Sequence, residues 1–264
     1  MKPSTAMPFS FAVVILAAGK GTRFKGDRPK VLQELHGLPL VAHVVAAARA
    51  VGPERIVVVV GHHRGQVEAV LRGSNAVFAT QEEALGTGHA VLAAHGSVPS
   101  SVAAIVVLNG DVPLIRAQTV AALVAKHRET SAAATVLSAQ LDDPSGYGRI
   151  VRGADGRVTA IVEEKDASAA ERAIHEVNAG AYVFAAPLIF EVLARVGQSN
   201  AQREYYLTDA VALLVAAGAR VEAVVAETPG EILGVNRPED LEALRGVQAA
   251  PDTAARRSRP ARRG

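Results

Sequence analysis

The sequence predicts an α/β fold in which a mixed, mostly parallel sheet is flanked by helices. Short apolar runs rich in β-branched residues alternate with helix-period patterns through the first half of the chain, as crossover-connected parallel strands require. A Gly-rich turn at Gly19 and Gly21 follows the first of these runs. With 264 residues and 49% hydrophobic content, the chain is long and apolar enough for one large domain.

The elements follow in order. Residues 12–16 are a buried-strand candidate, and Pro39 opens a helix whose Leu40, Val41, Val44, Val45 and Ala48 share one face. Gly52-Pro53 stops that helix. Residues 55–60 form a second strand, 66–71 a helix, 76–80 a third strand, 88–95 a helix and 103–108 a fourth strand. The fourth strand runs into Asn109-Gly110-Asp111, and strand ends are where open α/β sheets place ligands. From about residue 132 strand candidates at 133–139, 147–151, 157–163 and 177–184 are separated by short turns, which makes this half more mixed. Helices over 187–196 and 208–217, a strand over 220–226 and a helix over 238–245 complete the domain, set at 10–247. No repeat with a period of about 20 to 50 residues occurs, and no hexapeptide repeat of the β-helix kind.

Composition excludes several chemistries. With no Cys there is no disulfide framework, thiolate metal site or cysteine nucleophile. Residues 11–18 are apolar but lead straight into Gly19-Lys20-Gly21 without a cleavage site. No run reaches the ~18 apolar residues that cross a bilayer. The expectation is a soluble cytoplasmic protein with no membrane partner. The net charge is +2 and the pI about 9.0. Five Arg and one Asp after residue 250 contribute +4, so the preceding residues carry −2. Residues 248–264 are therefore expected to be a disordered, solvated basic tail, and the mildly acidic body to bind no specific nucleic acid. Adjacent His62-His63 do not converge on one ion by spacing, so the pair is not assigned to a metal.

The strongest motif is Leu16-Ala17-Ala18-Gly19-Lys20-Gly21-Thr22-Arg23 with Pro29-Lys30 downstream. Small residues let successive backbone N–H groups approach phosphate oxygens, while Arg23 and Lys30 add cationic charge. A Walker loop fails because Val14 stands five residues before Gly19. The dinucleotide fingerprint fails because Phe24 occupies its third small position. A plain strand-to-helix turn with solvated cations is the alternative for this loop taken alone.

This loop resembles the signature of sugar-phosphate nucleotidyltransferases. Further matches follow in order: Gln81 with Leu85-Gly86-Thr87-Gly88-His89-Ala90, Gly110-Asp111-Val112-Pro113-Leu114, Gly146-Tyr147-Gly148-Arg149-Ile150, and Ile161 through Ala167. Glu176-Val177-Asn178-Ala179-Gly180, Asn200 through Asp209 and Gly234-Val235-Asn236 complete the series. The chain is similar over about residues 11–245 to the uridylyltransferase half of bifunctional bacterial N-acetylglucosamine-1-phosphate uridylyltransferase/glucosamine-1-phosphate acetyltransferases.

The resemblance implies a Rossmann-like nucleotidyltransferase fold and a transfer from UTP to a sugar-1-phosphate, N-acetylglucosamine-1-phosphate. The product is a nucleotide sugar that serves as a peptidoglycan precursor in cell wall biogenesis. It implies a nucleotide over Leu16, Ala17, Ala18 and Gly19, with Arg23 and Lys30 on the phosphates. Gln81, Gly86 and Thr87 are implied for the base. Magnesium is implied on Asp111 and Asn236, with Gly110 beside the substrate, and oxygen donors of this kind suit a hard cation. Gly148, Glu163 and Asn178 are implied for the sugar, with Thr208 and Glu204 nearby and Glu164 a solvated charge. Taken without the motif order, Asp111 is an ordinary turn residue and Gln81 a loop amide.

Three positions depart from the family pattern: Asn109 stands where relatives often have Tyr, Ala179 replaces a Thr, and Arg203 replaces a Gly. All three bear on sugar selection. Other sugar-1-phosphate thymidylyl-, uridylyl- or cytidylyltransferases remain open, as does a nucleotide-sugar sensor without turnover. Because the β-helix repeats that carry acetyl transfer in the resembled family are missing, acetylation of glucosamine-1-phosphate is not expected of this sequence.

Overall fold

The computed structural model describes residues 9–19, 21, 23–24 and 27–246. The basic segment 248–264 and the loop residues Lys20 and Thr22 lie outside the described residues. The elements are β1 (Phe11–Leu16), β2 (Glu34–Leu35), β3 (Leu38–Pro39), α1 (Leu40–Ala50), β4 (Arg55–Val60), α2 (Arg64–Val70), β5 (Val77–Thr80), α3 (Thr87–Ala93), β6 (Ala104–Asn109) and α4 (Ala117–Thr130). They continue with β7 (Ala134–Gln140), β8 (Arg149–Arg152), β9 (Val158–Val162), α5 (Ala169–Arg172), β10 (Glu176–Ala185), α6 (Ala186–Leu193), α7 (Leu207–Ala216), β11 (Val221–Val225) and α8 (Pro238–Arg245).

Among the described residues the main sheet has nine strands, seven of them in the order β11-β7-β10-β6-β1-β4-β5. Strands β6, β1, β4 and β5 run parallel. Strand β10 is antiparallel to both β6 and β7, and β11 returns parallel to β7. The β8–β9 hairpin attaches to the start of β10.

The central strands are unbroken apolar runs because both faces of the sheet are covered. Val13 and Ile15 of β1 enter a core with Val41, Val44 and Val45 of α1 and Val120 and Leu123 of α4. Ala12 and Val14 point the other way, into a core with Val91 of α3, Ile189 and Leu193 of α6, and Val211 and Leu214 of α7. A third cluster joins Leu35 and Leu40 to Val235, Leu241 and Leu244, and so docks α8 onto the β2–β3 hairpin. No helix among the described residues is long and apolar enough to cross a membrane.

Helix α4 is an element that the sequence reading does not assign. It buries Thr119, Val120, Leu123 and His127, so half of its inward face is polar. His127 is 4% exposed, and its Nδ1 lies 3.2 Å from the Thr135 hydroxyl on β7. Burial pushes its imidazole down to about 4 from the ordinary 6.5. Between these values the unfolded chain binds the proton more readily, so His127 contributes stability above pH 6.5 that is lost as pH falls toward 4. A His127→Gln chain is expected to lose less stability between pH 7 and pH 4.5 than the wild type, by on the order of 2 kcal/mol. Urea denaturation at the two pH values measures this, and equal losses would contradict it.

Candidate active site

The register of the sheet assembles the site. Leu16 at the end of β1 pairs with Asn109 at the end of β6, so the Gly-rich loop and the Asp111 turn leave the sheet side by side. The Gly110 N–H donates to the Leu16 carbonyl at 2.9 Å. A Cβ on Gly110 would lie 3.0 Å from that oxygen, so the contact favours glycine. On the other side of β1, Val60 at the end of β4 pairs with Thr80, which brings Gln81 to the same edge. This is the carboxyl edge of the parallel strands, where open α/β sheets form their ligand crevice.

Lys30 is fixed by a short 3₁₀ turn (Lys30–Leu32) whose Val31 and Leu32 are buried in the core. Gly21 has φ +57°, and a Cβ there would meet the Lys30 Cβ at 2.7 Å. The second glycine of the motif thus lets the loop cross directly over Lys30. Far along the chain, the Val235 N–H donates to the Asp111 carbonyl at 2.9 Å and so draws in Asn236. Asp240 in the first turn of α8 accepts the Asn236 and Arg237 N–H groups, each at 2.7 Å, and its charge also suits the helix N-terminus. Three segments consequently meet at one point. The Lys30 ammonium forms an ion pair with Asp111 Oδ2 and donates to Asn236 Oδ1 at 3.1 Å.

Beside this point lies a polar cavity of about 240 Å³ lined by, among others, Leu16, Thr87, Asp111, Gly148, Glu163, Asn178 and Asn236. Gly148 and Glu163 come from the β8–β9 hairpin and its end, and Asn178 from β10. The Gly148 carbonyl accepts the Asn178 N–H at 2.8 Å, which ties hairpin to strand. Asn178 Nδ2 donates to the Tyr182 hydroxyl at 2.7 Å, and its Oδ1 accepts the Gly180 N–H at 3.1 Å. Burial pushes the Glu163 carboxyl above its ordinary value, opposed by the hydrogen bond at 3.0 Å that the Thr208 hydroxyl donates.

The expected residues are not all equally placed. Ala17 is buried, Ala18 half-buried, and Gly19 exposed with open space around it. Arg23 is exposed, and among the described residues it makes no hydrogen bond or ion pair. Glu164 differs from the solvated charge that the sequence suggests. Its Oε2 lies 2.7 Å from Nη1 of Arg149, a side chain only 2% exposed, as an ion pair without hydrogen-bond geometry. The buried guanidinium needs that charge close by.

Tyr147, Tyr182 and Gly180 also line the cavity, and the sequence does not mark them as site residues. Tyr182 is itself a buried core residue between the buried Ala181 and Val183 on β10, so nothing in its spacing marks it. A larger groove of about 500 Å³ is lined by Phe11, Ala117, Ala121 and Val124, mostly apolar, with Gln118 and Arg128 at its edge. Phe11 begins β1, so this groove lies at the opposite end of the strand from Asp111 and holds no convergent charged set.

The sequence comparison decides the family: a model described as the MobA-like NTP transferase domain matches residues 13–208. The chain belongs to the MobA-like NTP transferase family. Among curated proteins this NTP transferase domain is similar to the bifunctional protein GlmU of Syntrophotalea carbinolica, with 51% identity over 225 residues, 85% of this chain and 48% of that protein. It is similarly related to the bifunctional protein GlmU of Geobacter metallireducens, with 49% identity over 226 residues, 85% of this chain and 48% of that protein. The chain thus spans about half the length of the curated relatives it matches. Among solved structures, UDP-glucose pyrophosphorylase complexed with UDP-glucose superposes with a TM-score of 0.69 at 18% identity, covering 89% of this chain and 98% of that one. At that identity the likeness carries the fold alone, and the fold is the Rossmann-like nucleotidyltransferase fold expected from the sequence.

Leu207 and Thr208 of this NTP transferase domain line the cavity, and the segment 200–206 leads into them. Arg203 there has φ +54°, a left-handed conformation that costs a side chain roughly 1 kcal/mol. Arg203→Gly is accordingly expected to raise the thermal midpoint by about 2–4 °C. A scanning-calorimetry midpoint that stays put or falls would show that the Arg203 side chain contributes more than its backbone strain removes.

Proposed function

We propose that the chain transfers a uridylyl group from UTP to N-acetylglucosamine-1-phosphate, giving UDP-N-acetylglucosamine and pyrophosphate, with magnesium as cofactor and in the cytoplasm. The observation that carries this reading is the meeting of Lys30, Asp111 and Asn236 at the strand ends, beside a polar cavity that offers Glu163 and Asn178. The name of the relatives at about half identity supports it, as does the ordered series of motifs.

The residues suit the reaction. An oxygen of the sugar phosphate attacks the α-phosphorus in line, and the bond to the pyrophosphate oxygen breaks with its electron pair leaving on pyrophosphate. The attacking oxygen is already anionic, so no general base has to remove a proton. Catalysis then rests on positioning and on cationic groups placed where charge develops. An ammonium has three donors. Lys30 uses donors on Asp111 and Asn236 and keeps one for a phosphate oxygen. Arg23 is exposed and free to reach the outer phosphates from its loop. The backbone of Leu16 through Gly19, with Gly110 behind it, forms the floor under the nucleotide.

The oxygens of Asp111 and Asn236 already converge on one cationic nitrogen, so their donor set fits a hard divalent ion. Held there, magnesium would take the place of the ammonium on these oxygens, leave the Lys30 donors to the phosphates and offset negative charge on the phosphate oxygens. For the base, Gln81 supplies the amide, with Gly86 and Thr87 opening α3 beside it. For the sugar, the Glu163 carboxylate accepts from hydroxyls, Asn178 meets a hydroxyl or the acetamido group, and Gly148 gives a backbone contact.

A matrix of the four ribonucleoside triphosphates and dTTP against several sugar-1-phosphates, scored by pyrophosphate release, tests the proposal. The UTP and N-acetylglucosamine-1-phosphate pair is expected to give the highest kcat/KM. A different pair at the top would reassign the substrates, and pyrophosphate from none would leave a binding protein without turnover.

A further inference from the structure

We infer that His89 is a positioning residue for base selection, holding the Gln81 carboxamide so that its oxygen is the end left to bond a base. This rests on the reading of Gln81 as the amide that meets the base. Gln81 is 6% exposed, and its backbone is anchored by an N–H bond to the Val60 carbonyl at 2.8 Å. Its Nε2 has two hydrogens and two acceptors: the Gly86 carbonyl at 3.0 Å and His89 Nδ1 at 3.1 Å. An amide nitrogen only donates, so His89 Nδ1 is the accepting nitrogen and the ring proton sits on Nε2. Both hydrogens are then committed, and Oε1 has no partner among the described residues.

The imidazole is itself held. His89 lies on α3, and the Tyr205 ring is tilted against it with centroids 6.2 Å apart. The first turn of α3 and the loop before it are tied to the same segment, since the Gly88 N–H donates to the Tyr205 carbonyl at 2.7 Å and the Tyr205 N–H to the Leu85 carbonyl at 2.8 Å. The glutamine amide has nearly the same shape after a half-turn about its last bond, so only its partners decide which end is offered. An offered oxygen bonds the N3–H of a uracil or thymine ring. Cytosine presents a lone pair at N3, which such an oxygen repels. Without the Nδ1 acceptor only the Gly86 carbonyl opposes the turn, so the amide offers its NH₂ end to cytosine more often than in the wild type.

The test is equilibrium binding of UTP and of CTP to the full chain, by titration calorimetry, for the wild type, His89→Leu and His89→Asn. The Oδ1 of asparagine falls near the place of a histidine Nδ1, so it restores an acceptor. The UTP preference over CTP is expected to drop about tenfold in His89→Leu, mainly through weaker UTP binding. In His89→Asn it is expected to stay within about threefold of the wild type. An unchanged preference in His89→Leu, an equal loss in both variants, or a wild type without preference each overturns the inference. Binding reads base selection without turnover. If the preference follows the acceptor while no sugar-1-phosphate yields pyrophosphate, the proposed reaction fails and the role of His89 stands.

Discussion

Lys30→Ala is expected to lower turnover by about 10²–10³-fold while the protein stays folded. Among the described residues the Lys30 ammonium is the one cationic group tied to both Asp111 and Asn236, and it keeps a donor for a phosphate oxygen. Its loss removes charge stabilisation at the point where negative charge builds. Folding depends on it far less, because Val31 and Leu32 anchor the turn. The pair is partly open to solvent, with side chains 14% and 20% exposed, so the released carboxylate can rehydrate. A cost of about 1 kcal/mol corresponds to a midpoint shift of about 2–4 °C. Steady-state kinetics and a thermal scan on one preparation check both halves. A collapse in stability with normal turnover in the folded fraction would make Lys30 a structural residue.

Asp111→Asn is expected to cost at least about 10²-fold in turnover and to raise the magnesium concentration needed for half-maximal rate. The substitution keeps the shape of the side chain and removes its charge, so a hard cation loses its only carboxylate in this donor set and Lys30 loses its counter-ion. Chelation of the wild type is expected to abolish turnover, with recovery on adding the metal back. Full activity after exhaustive chelation, or an unchanged metal titration in Asp111→Asn, would remove the metal from the account.

Much of the fold is legible because strong local signals agree with their surroundings. Strand β4 and helix α8 have the bounds that the sequence suggests, since an unbroken Val run and a Pro opening admit few alternatives. Helix α4 is not legible because its inward face includes Thr119 and His127, which blur the apolar period. The β2–β3 hairpin is missed because its turn at His36-Gly37 takes positive φ at both residues without the Asn-Gly signature. The site is harder still. Motif order groups Asp111 with Asn236 by resemblance, but only the backbone bond from Val235 to Asp111 shows how residues so far apart in sequence meet. Glu164 looks solvated until Arg149 is seen buried beneath it. The role of His89 rests on which amide hydrogens are already committed, and that is invisible in a sequence.

The most direct measurement follows the oxygen atoms. N-acetylglucosamine-1-phosphate labelled with ¹⁸O at its non-bridging phosphate oxygens is incubated with the full chain, UTP and magnesium, and the products are weighed by mass spectrometry. Attack of the sugar phosphate on the α-phosphorus predicts UDP-N-acetylglucosamine that keeps all of the label, together with unlabelled pyrophosphate. Label in the pyrophosphate, or no nucleotide sugar at all, would contradict the account.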